Sequence, residues 1–369
     1  VQPQPQPGVV LALASEHPDE LSEHQRCTLL GFVRQVAALR GERAGGFHHP
    51  GATHDERPFF VPQDTLTTEE AAALGIHGPQ QLFGGVVPHA FVATKAISHA
   101  LVDPGATCVH GWVHGLAAGI EACVLPGFTV FDQGDALTAG QRLLARGPVR
   151  LKPVRASGSR GQSVAQDDAS LRRAVAQMDP HEIATHGLVV EVQVDELHTF
   201  SIGQVQVAGL TASYFGVQRS TRDNEGVSAY GGSSLTLVRG GYDALLALRP
   251  APEVMHAIGQ ARCYDDAVSA CYPGFHTSRS NCDVLLGRDA SGTLLCGVLE
   301  PSWRVGGATG AELAALERFA ADPGCKLVRA SCHEVYGDSP EPPPSATVHY
   351  RGIDPRQGPL TKYTVLEDE

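Results

Sequence analysis

CDVLLGRDASGTLLCGVLEPSWR, residues 282–304, sets two apolar runs on either side of Ser291-Gly292 and ends on an acid, a hydroxyl and a base. Short apolar runs separated by a few polar residues containing Gly read as a β-hairpin. With a tight turn centred on Ser291-Gly292, Asp283 falls directly opposite Glu300. Facing side chains in an antiparallel pair have Cβ atoms about 4.5–5.5 Å apart, and like charges there repel. Two carboxylates so placed need a cation; oxygen ligands favour Mg²⁺, which normally arrives with phosphates. Side chains alternate along a strand, so Ser302 and Arg304 continue on the face of Glu300. Ser302 adds a third oxygen, and Arg304 a permanent positive charge suited to phosphate. The plainer alternative is a surface hairpin with its acids in water, and a one-residue slip of the turn would undo the pairing.

A second stretch, PVRLKPVRASGSRGQSV at residues 148–164, delivers Lys152 from an apolar strand into a loop of small residues. Ser157, Gly158, Ser159, Arg160 and Gly161 lie in that loop. Glycines let backbone N–H groups wrap an anion, and Arg155 and Arg160 add attraction. Lys152 is a point charge able to follow a phosphate. Lys95, in FVATKAISHAL, reads as part of an apolar helix over residues 91–101. Alone it is better explained by a lysine reaching past apolar surface to water than by a ligand. Glu191 interrupts the apolar strand GLVVEVQV, where an acid is unexpected unless paired or functional.

The 369 residues exceed one ordinary core, and 42% hydrophobic content supplies ample interior. A net charge of −12 with 6% aromatics argues against a nucleic-acid partner. Nine cysteines without any Cys-x-x-Cys pair suit a reduced, cytoplasmic setting better than a disulfide framework. The apolar run at residues 9–14 is too short for a signal-peptide core or a membrane span, so no membrane association is expected. No Walker A, G-x-G-x-x-G or G-x-S-x-G pattern occurs. His110 and His114 have helical metal-ligand spacing but no third ligand, which disfavours zinc.

Along the chain, a strand at 9–14, a helix at 22–39, a strand at 59–61 and a helix opened by Thr67-Thr68-Glu69-Glu70 predict a small α/β unit over residues 1–87. A second unit spans 88–335: helices at 91–101, 136–145, 168–178 and 253–270, strands at 149–154, 188–194, 200–206 and 235–239, and the hairpin. Residues 336–369 read as a linker and tail with one strand at 346–351. The polar, Gly-rich segment 214–239 reads as a surface loop, with a part in a substrate wall as the alternative.

In this order, the segments resemble the ATP-grasp superfamily, and more narrowly a bacterial family of ATP-grasp-like proteins. The phrases that carry the likeness are KPVRASGSRGQSV, YGGSSL, SRSNCDV, GVLEPSWRVGGA and HYRGIDP. The resemblance implies a mixed α+β and α/β fold, two α+β subdomains clamping ATP behind a small N-terminal α/β domain, with a Gly-rich lid near 155–163. It implies that Lys95 and Lys152 contact phosphate and that Glu191 lies beside the adenine. His198 stands where the family often has a ribose-binding acid. Asp283 and Glu300 hold Mg²⁺, Ser302 replaces the usual Asn, and Arg304 completes the motif; Arg279 also faces the phosphates. The implied activity is carboxylate–amine ligation through an acyl-phosphate, a thiol being the rarer nucleophile. Ser302 and His198 keep open an ATP-binding protein without turnover, and carboxylation through carboxyphosphate is a further alternative. The implied partners are ATP and a small-molecule or peptide carboxylate, with a homodimer as an option.

Overall fold

The computed structural model describes residues 8–52, 57–155, 161–338 and 341–367. Strand β1 (Val9–Leu13), helix α1 (Glu23–Arg40), β2 (Arg43–Phe47) and β3 (Pro58–Pro62) build a parallel sheet of order β2-β1-β3. Ser22 caps α1 in a reciprocal capping box with Gln25, and Gly41 ends the helix in the left-handed conformation, φ 66°. Leu29, Phe32, Val33 and Val36 form the buried stripe that their spacing predicts. Each such side chain contributes about 1.5–3 kcal/mol on burial. β4 (Leu66–Thr67), α2 (Thr68–Ala73) and β5 (Gly85–Val87) follow, with Thr67 and Glu70 forming the second capping box.

The helix expected over 91–101 is not formed. Two 3-10 turns, Ala90–Ala93 and Lys95–Ser98, stand in its place. Thr94 between them is extended (φ −128°, ψ 170°), and its hydroxyl accepts from the Ala96 N–H instead of letting the helix run on. The break turns Lys95 inward.

Helix α3 (His114–Ile120) packs through Leu116 and Ile120 into a core formed with residues 257–268, and a small lobe follows: β6 (Gly127–Val130), α4 (Gln133–Leu144), β7 (Val149–Pro153), β8 (Ser163–Ala165), α5 (Asp168–Ala176), α6 (Pro180–His186) and β9 (Leu188–Val192). Its antiparallel sheet has the order β6-β9-β7-β8. The remaining chain is dominated by an eight-stranded antiparallel sheet. It takes β10 (Asp195–Val207), β11 (Leu210–Arg222) and β12 (Ser228–Arg239); α7 (Tyr242–Ala247), α8 (Pro252–Cys271) and the short β13 (His276–Thr277), which pairs with β5 outside this sheet, follow. β14 (Arg279–Arg288), β15 (Leu294–Ser302), α9 (Thr309–Ala321), β16 (Leu327–Tyr336), β17 (Thr347–Asp354) and β18 (Gly358–Glu367) complete it in the order β15-β14-β10-β11-β12-β16-β18-β17.

Two differences from the sequence reading matter. Residues 214–239 are not a surface loop; they are most of β11 and β12 in the middle of the sheet. The stretch read as linker and tail carries two strands, and β18 pairs with β16. The outer faces divide by strand parity: Phe200, Ile202 and Val284 pack under α8, whereas Val205, Tyr214 and Leu237 share a core with α1 and α9. No helix among the described residues is long and apolar enough to cross a membrane.

Between α8 and β14, Asp265 accepts from Ser280 Oγ (2.8 Å) and Tyr242 Oη (3.2 Å). Burial pushes its carboxyl up to about 6. The unfolded chain releases that proton near 4, so between these values the folded state binds more protons. Stability from this group is therefore greatest below about pH 4 and falls as pH rises through about 6. Asp265→Asn is expected to remove this slope. Denaturant titrations at pH 4.5 and 7 should show the native chain losing about 1–2 kcal/mol relative to the variant, allowing for partial exposure. A difference that stays constant with pH refutes the assignment.

Candidate active site

The β14–β15 hairpin is built differently at its tip than at its base. Near the tip Arg288 pairs with Leu294, leaving a five-residue turn centred on Ser291, because Asp289 accepts from the Ser291 and Thr293 N–H groups. That register alone would put Asp283 out of line. A bulge restores it: Val284 pairs with Val298, Asp283 with Glu300, and Leu299 is the extra residue. Asp283 and Glu300 therefore face one another at the base. Asp283 Oδ1 accepts from Gln218 Nε2 (2.7 Å) and lies 3.1 Å from the Asn281 amide nitrogen. Burial, then the facing Glu300, push the Asp283 carboxyl up to about 6. Glu300 Oε2 lies 3.0 Å from Lys95 Nζ.

These donors fit a hard divalent cation: two carboxylates on one face, with Asp283 uneasy as an anion until more positive charge arrives. Among the described residues no three His, Cys, Asp or Glu groups cluster for a metal. Any cation here must complete its shell from neutral oxygens and its ligand. Ser302 ends β15 opposite Asn281. Arg304 lies past the strand end, so alternation does not place it; it reaches the same cleft through the bend that follows.

That cleft, about 410 Å³, opens between the small lobe and the face of the large sheet. Lys95 and Lys152 enter it from the small-lobe side, and both are buried along their stems. Lys152 Nζ bonds to Glu191 Oε1, and His99 Nε2 is 3.3 Å from the other Glu191 oxygen. Burial works against the Glu191 charge, but Lys152 and then His99 outweigh it and hold the carboxyl down at about 2. Gly127 makes room for this trio, since a Cβ there would lie 2.8 Å from the His99 ring. Glu191 is turned toward Lys152 and His99 and is not among the residues lining this cleft; it orients Lys152.

His198 is likewise not among the residues lining the cleft. A bulge at Leu197 leaves His198 exposed on the face of Phe200, while Glu196 and Thr199 line the cleft. Thr199 Oγ1 donates to Glu196 Oε1 at 2.7 Å. Ser157, Gly158, Ser159 and Arg160 lie outside the described residues. Gly161 resumes the chain with φ 66°, and Gln162, bonded to Arg150 Nη1 at 2.9 Å, lines the cleft.

Arg279 lies at the floor of the cleft, with each of its three nitrogens bonded to a protein partner. Its Nε and Nη2 bond to both oxygens of Glu312 (3.0 and 2.8 Å), and Nη1 donates to the Ser302 carbonyl (3.2 Å). Burial opposes the Arg279 charge, yet Glu312 raises its pKa above the ordinary value. Tyr214 Oη lies 2.6 Å from Glu312 and fits only because residue 203 is Gly, where a Cβ would sit 2.4 Å from that oxygen. Gln218, Ser220, Tyr230 and Ser233 of β11 and β12 also line the cleft. Residues 218–222 and 231–234 are continuous polar and glycine-rich runs in the sequence, which is why they read as a loop. Arg304, Gly306 and Gly307 are shared with a second cavity of about 370 Å³ between α1 and β16–β18.

The family described as "Protein of unknown function (DUF3182)" matches residues 11–364. The chain belongs to the DUF3182 family. No curated protein matches this DUF3182 chain. Among solved structures it is similar to an N5-carboxyaminoimidazole synthetase from Staphylococcus aureus complexed with ADP: TM-score 0.58, 11% identity, 99% of this chain and 94% of that one. A biotin carboxylase from Campylobacter jejuni in a β-γ-ATP complex aligns over 98% and 88% (TM-score 0.50, 10% identity). D-alanyl-alanine synthetase A from Vibrio cholerae aligns over 86% and 98% (TM-score 0.50, 11% identity). At such identities the likeness establishes the fold, and the fold of this DUF3182 protein is the ATP-grasp fold.

Proposed function

We propose that this protein is an ATP- and Mg²⁺-dependent ligase that activates a small carboxylic acid as an acyl-phosphate for capture by an amine. The observation that carries this reading is the convergence of two buried lysines, a facing carboxylate pair and Arg304 on one cleft. When bound to Asp283 and Glu300, Mg²⁺ would neutralise phosphate oxygens. Lys95 and Lys152 draw negative charge off the transferring phosphoryl group, with Lys152 aimed by Glu191. An oxygen of the acid's carboxylate attacks the γ-phosphorus, the bond to the bridging oxygen breaks, and ADP leaves. The amine nitrogen then adds to the acyl carbon, phosphate departs, and the nitrogen loses a proton. No nucleophile from the chain is needed. Arg304 steadies the acid's carboxylate before transfer.

The acid is best received from the second cavity, which meets the nucleotide cleft at Arg304, Gly306 and Gly307. Its volume of about 370 Å³ has room for an acid larger than bicarbonate. Thr28 of α1 lines this cavity, and its Oγ1 is buried with no protein partner, a site for a ligand hydrogen bond. Thr28→Val is expected to leave the melting temperature unchanged and raise the KM for the acid by roughly 5–20-fold, the worth of one hydrogen bond. An unchanged KM removes the cavity from the acid's path.

The decisive experiment incubates purified protein with ATP, Mg²⁺ and a fractionated metabolite extract. ADP formation that depends on one fraction, with hydroxylamine trapping a hydroxamate, supports the ligase. ADP formation driven by bicarbonate alone supports carboxylation instead. A chain that binds ADP tightly without turnover on any fraction is a nucleotide-binding protein, and one that binds no nucleotide ends the reading.

A further inference from the structure

Asn281 stands on β14 between the carboxylate pair and the Arg279–Glu312 ion pair, and its amide has two sides to serve. In the structure its Oδ1 faces Ser201 Oγ (2.8 Å) and Tyr214 Oη (2.9 Å), and its Nδ2 faces Asp283 Oδ1 (3.1 Å). Tyr214 Oη is also 2.6 Å from Glu312 Oε1. A phenol has a single proton. Glu312, gripped through both oxygens by Arg279, can only accept. A hydrogen bond to a charged acceptor is the stronger of the two, so the Tyr214 proton goes to Glu312. Tyr214 then offers Asn281 only a lone pair.

The amide end facing Tyr214 is therefore best filled by NH₂, since the two ends of an Asn amide are told apart by their partners. Its two protons serve Tyr214 Oη and Ser201 Oγ, and Ser201 borders the cleft, into which its own proton can point. This turns the amide oxygen toward Asp283, two acceptors 3.1 Å apart with no donor between them. Mg²⁺ ligands at about 2.0–2.1 Å and right angles lie about 3.0 Å from each other. The two oxygens are spaced as one edge of such an octahedron. Without a cation, the amide turns its NH₂ to Asp283 and the Tyr214 contact loses its proton.

We propose that Asn281 gives its amide oxygen to the divalent cation held by Asp283 and Glu300, reaching it from the strand facing Ser302. The inference rests on the nucleotide·metal reading of the cleft. Two observations carry it: the proton count around Tyr214, and the pairing of Asn281 with Ser302 across the hairpin. The residue at 302 can then be a short hydroxyl because the amide comes from the neighbouring strand.

The test is Mn²⁺ binding in the presence of ADP, followed by electron paramagnetic resonance, beside metal-free ADP affinity from calorimetry. Asn281→Leu should weaken Mn²⁺ by at least about tenfold and leave metal-free ADP affinity in place; Ser302→Ala should change Mn²⁺ affinity far less. Asn281→Asp, which keeps an oxygen but adds a third acid, should retain Mn²⁺ and gain more in melting temperature on Mn²⁺ addition than the native chain. If Asn281→Leu does not fold, Asn281→Asp decides alone: retained Mn²⁺ supports the proposal, lost Mn²⁺ overturns it. Asn281→Leu binding Mn²⁺ like the native chain also overturns it. A native chain that binds ADP but no Mn²⁺ overturns this proposal and spares nucleotide binding; one that binds neither overturns both.

Discussion

Asp283→Asn is expected to cut acid-dependent ADP formation by on the order of 10²–10³-fold, while the folded chain melts no lower than the native one. The two halves of this expectation come from one fact, the placement of Asp283 against Glu300. A carboxylate pushed up to about 6 by burial and a facing acid is a cost to the folded state at pH 7. The amide can still accept from Gln218, which donates at 2.7 Å, so the hydrogen bond survives while the repulsion goes. Activity and stability should therefore move apart, as they do where a site holds strain for function. The readouts are the coupled ADP assay with the acid found by the metabolite screen, and thermal unfolding in metal-free buffer. A variant that keeps its turnover disqualifies the carboxylate pair as the metal site. One that loses turnover and also unfolds several degrees earlier would mean that Asp283 serves the fold.

The sequence revealed those elements whose signals are local. The capping boxes at Ser22 and Thr67, the apolar stripe of α1, and the β7 and β9 strands follow from short-range chemistry, and each formed near its predicted bounds. The Asp283–Glu300 pairing was reached by a turn one residue out of place at the tip, with the bulge at Leu299 supplying the compensation. Bulges answer to packing against other elements, here the isolated bridge between Val124 and Val298, and leave no mark in the hairpin itself. What stayed hidden is non-local. Glu191 is claimed by Lys152 and His99, residues 39 and 92 positions away in the chain. Asn281 and Tyr214 acquire meaning only once four strands lie side by side. Polar residues at alternate positions of β11 and β12 face a cleft, so they lack the apolar half of the usual strand pattern and read as loop.

Arg279→Met should have the largest effect on stability of any single replacement near the cleft, a loss of about 3–5 kcal/mol. Arg279 and Glu312 are each no more than 2% exposed along their side chains. Removing the guanidinium leaves the Glu312 carboxylate in the interior with Tyr214 as its remaining hydrogen-bond donor. The penalty for an unpaired buried charge then falls on the folded state in full, whereas the pair itself contributes little net stability over apolar side chains of similar size. The double replacement Arg279→Met with Glu312→Met should accordingly recover most of the loss, giving strong coupling in a double-mutant cycle. Activity should not recover with it. Without Glu312 as its acceptor, Tyr214 is free to donate to Asn281, so the amide oxygen is drawn away from Asp283 and the metal affinity falls. Denaturant unfolding of the two single variants and the double variant, with Mn²⁺ titration of the double, separates these effects. Additive stability losses would show that the ion pair is not a unit, and full Mn²⁺ affinity in a stable double variant would disconnect it from the cleft above.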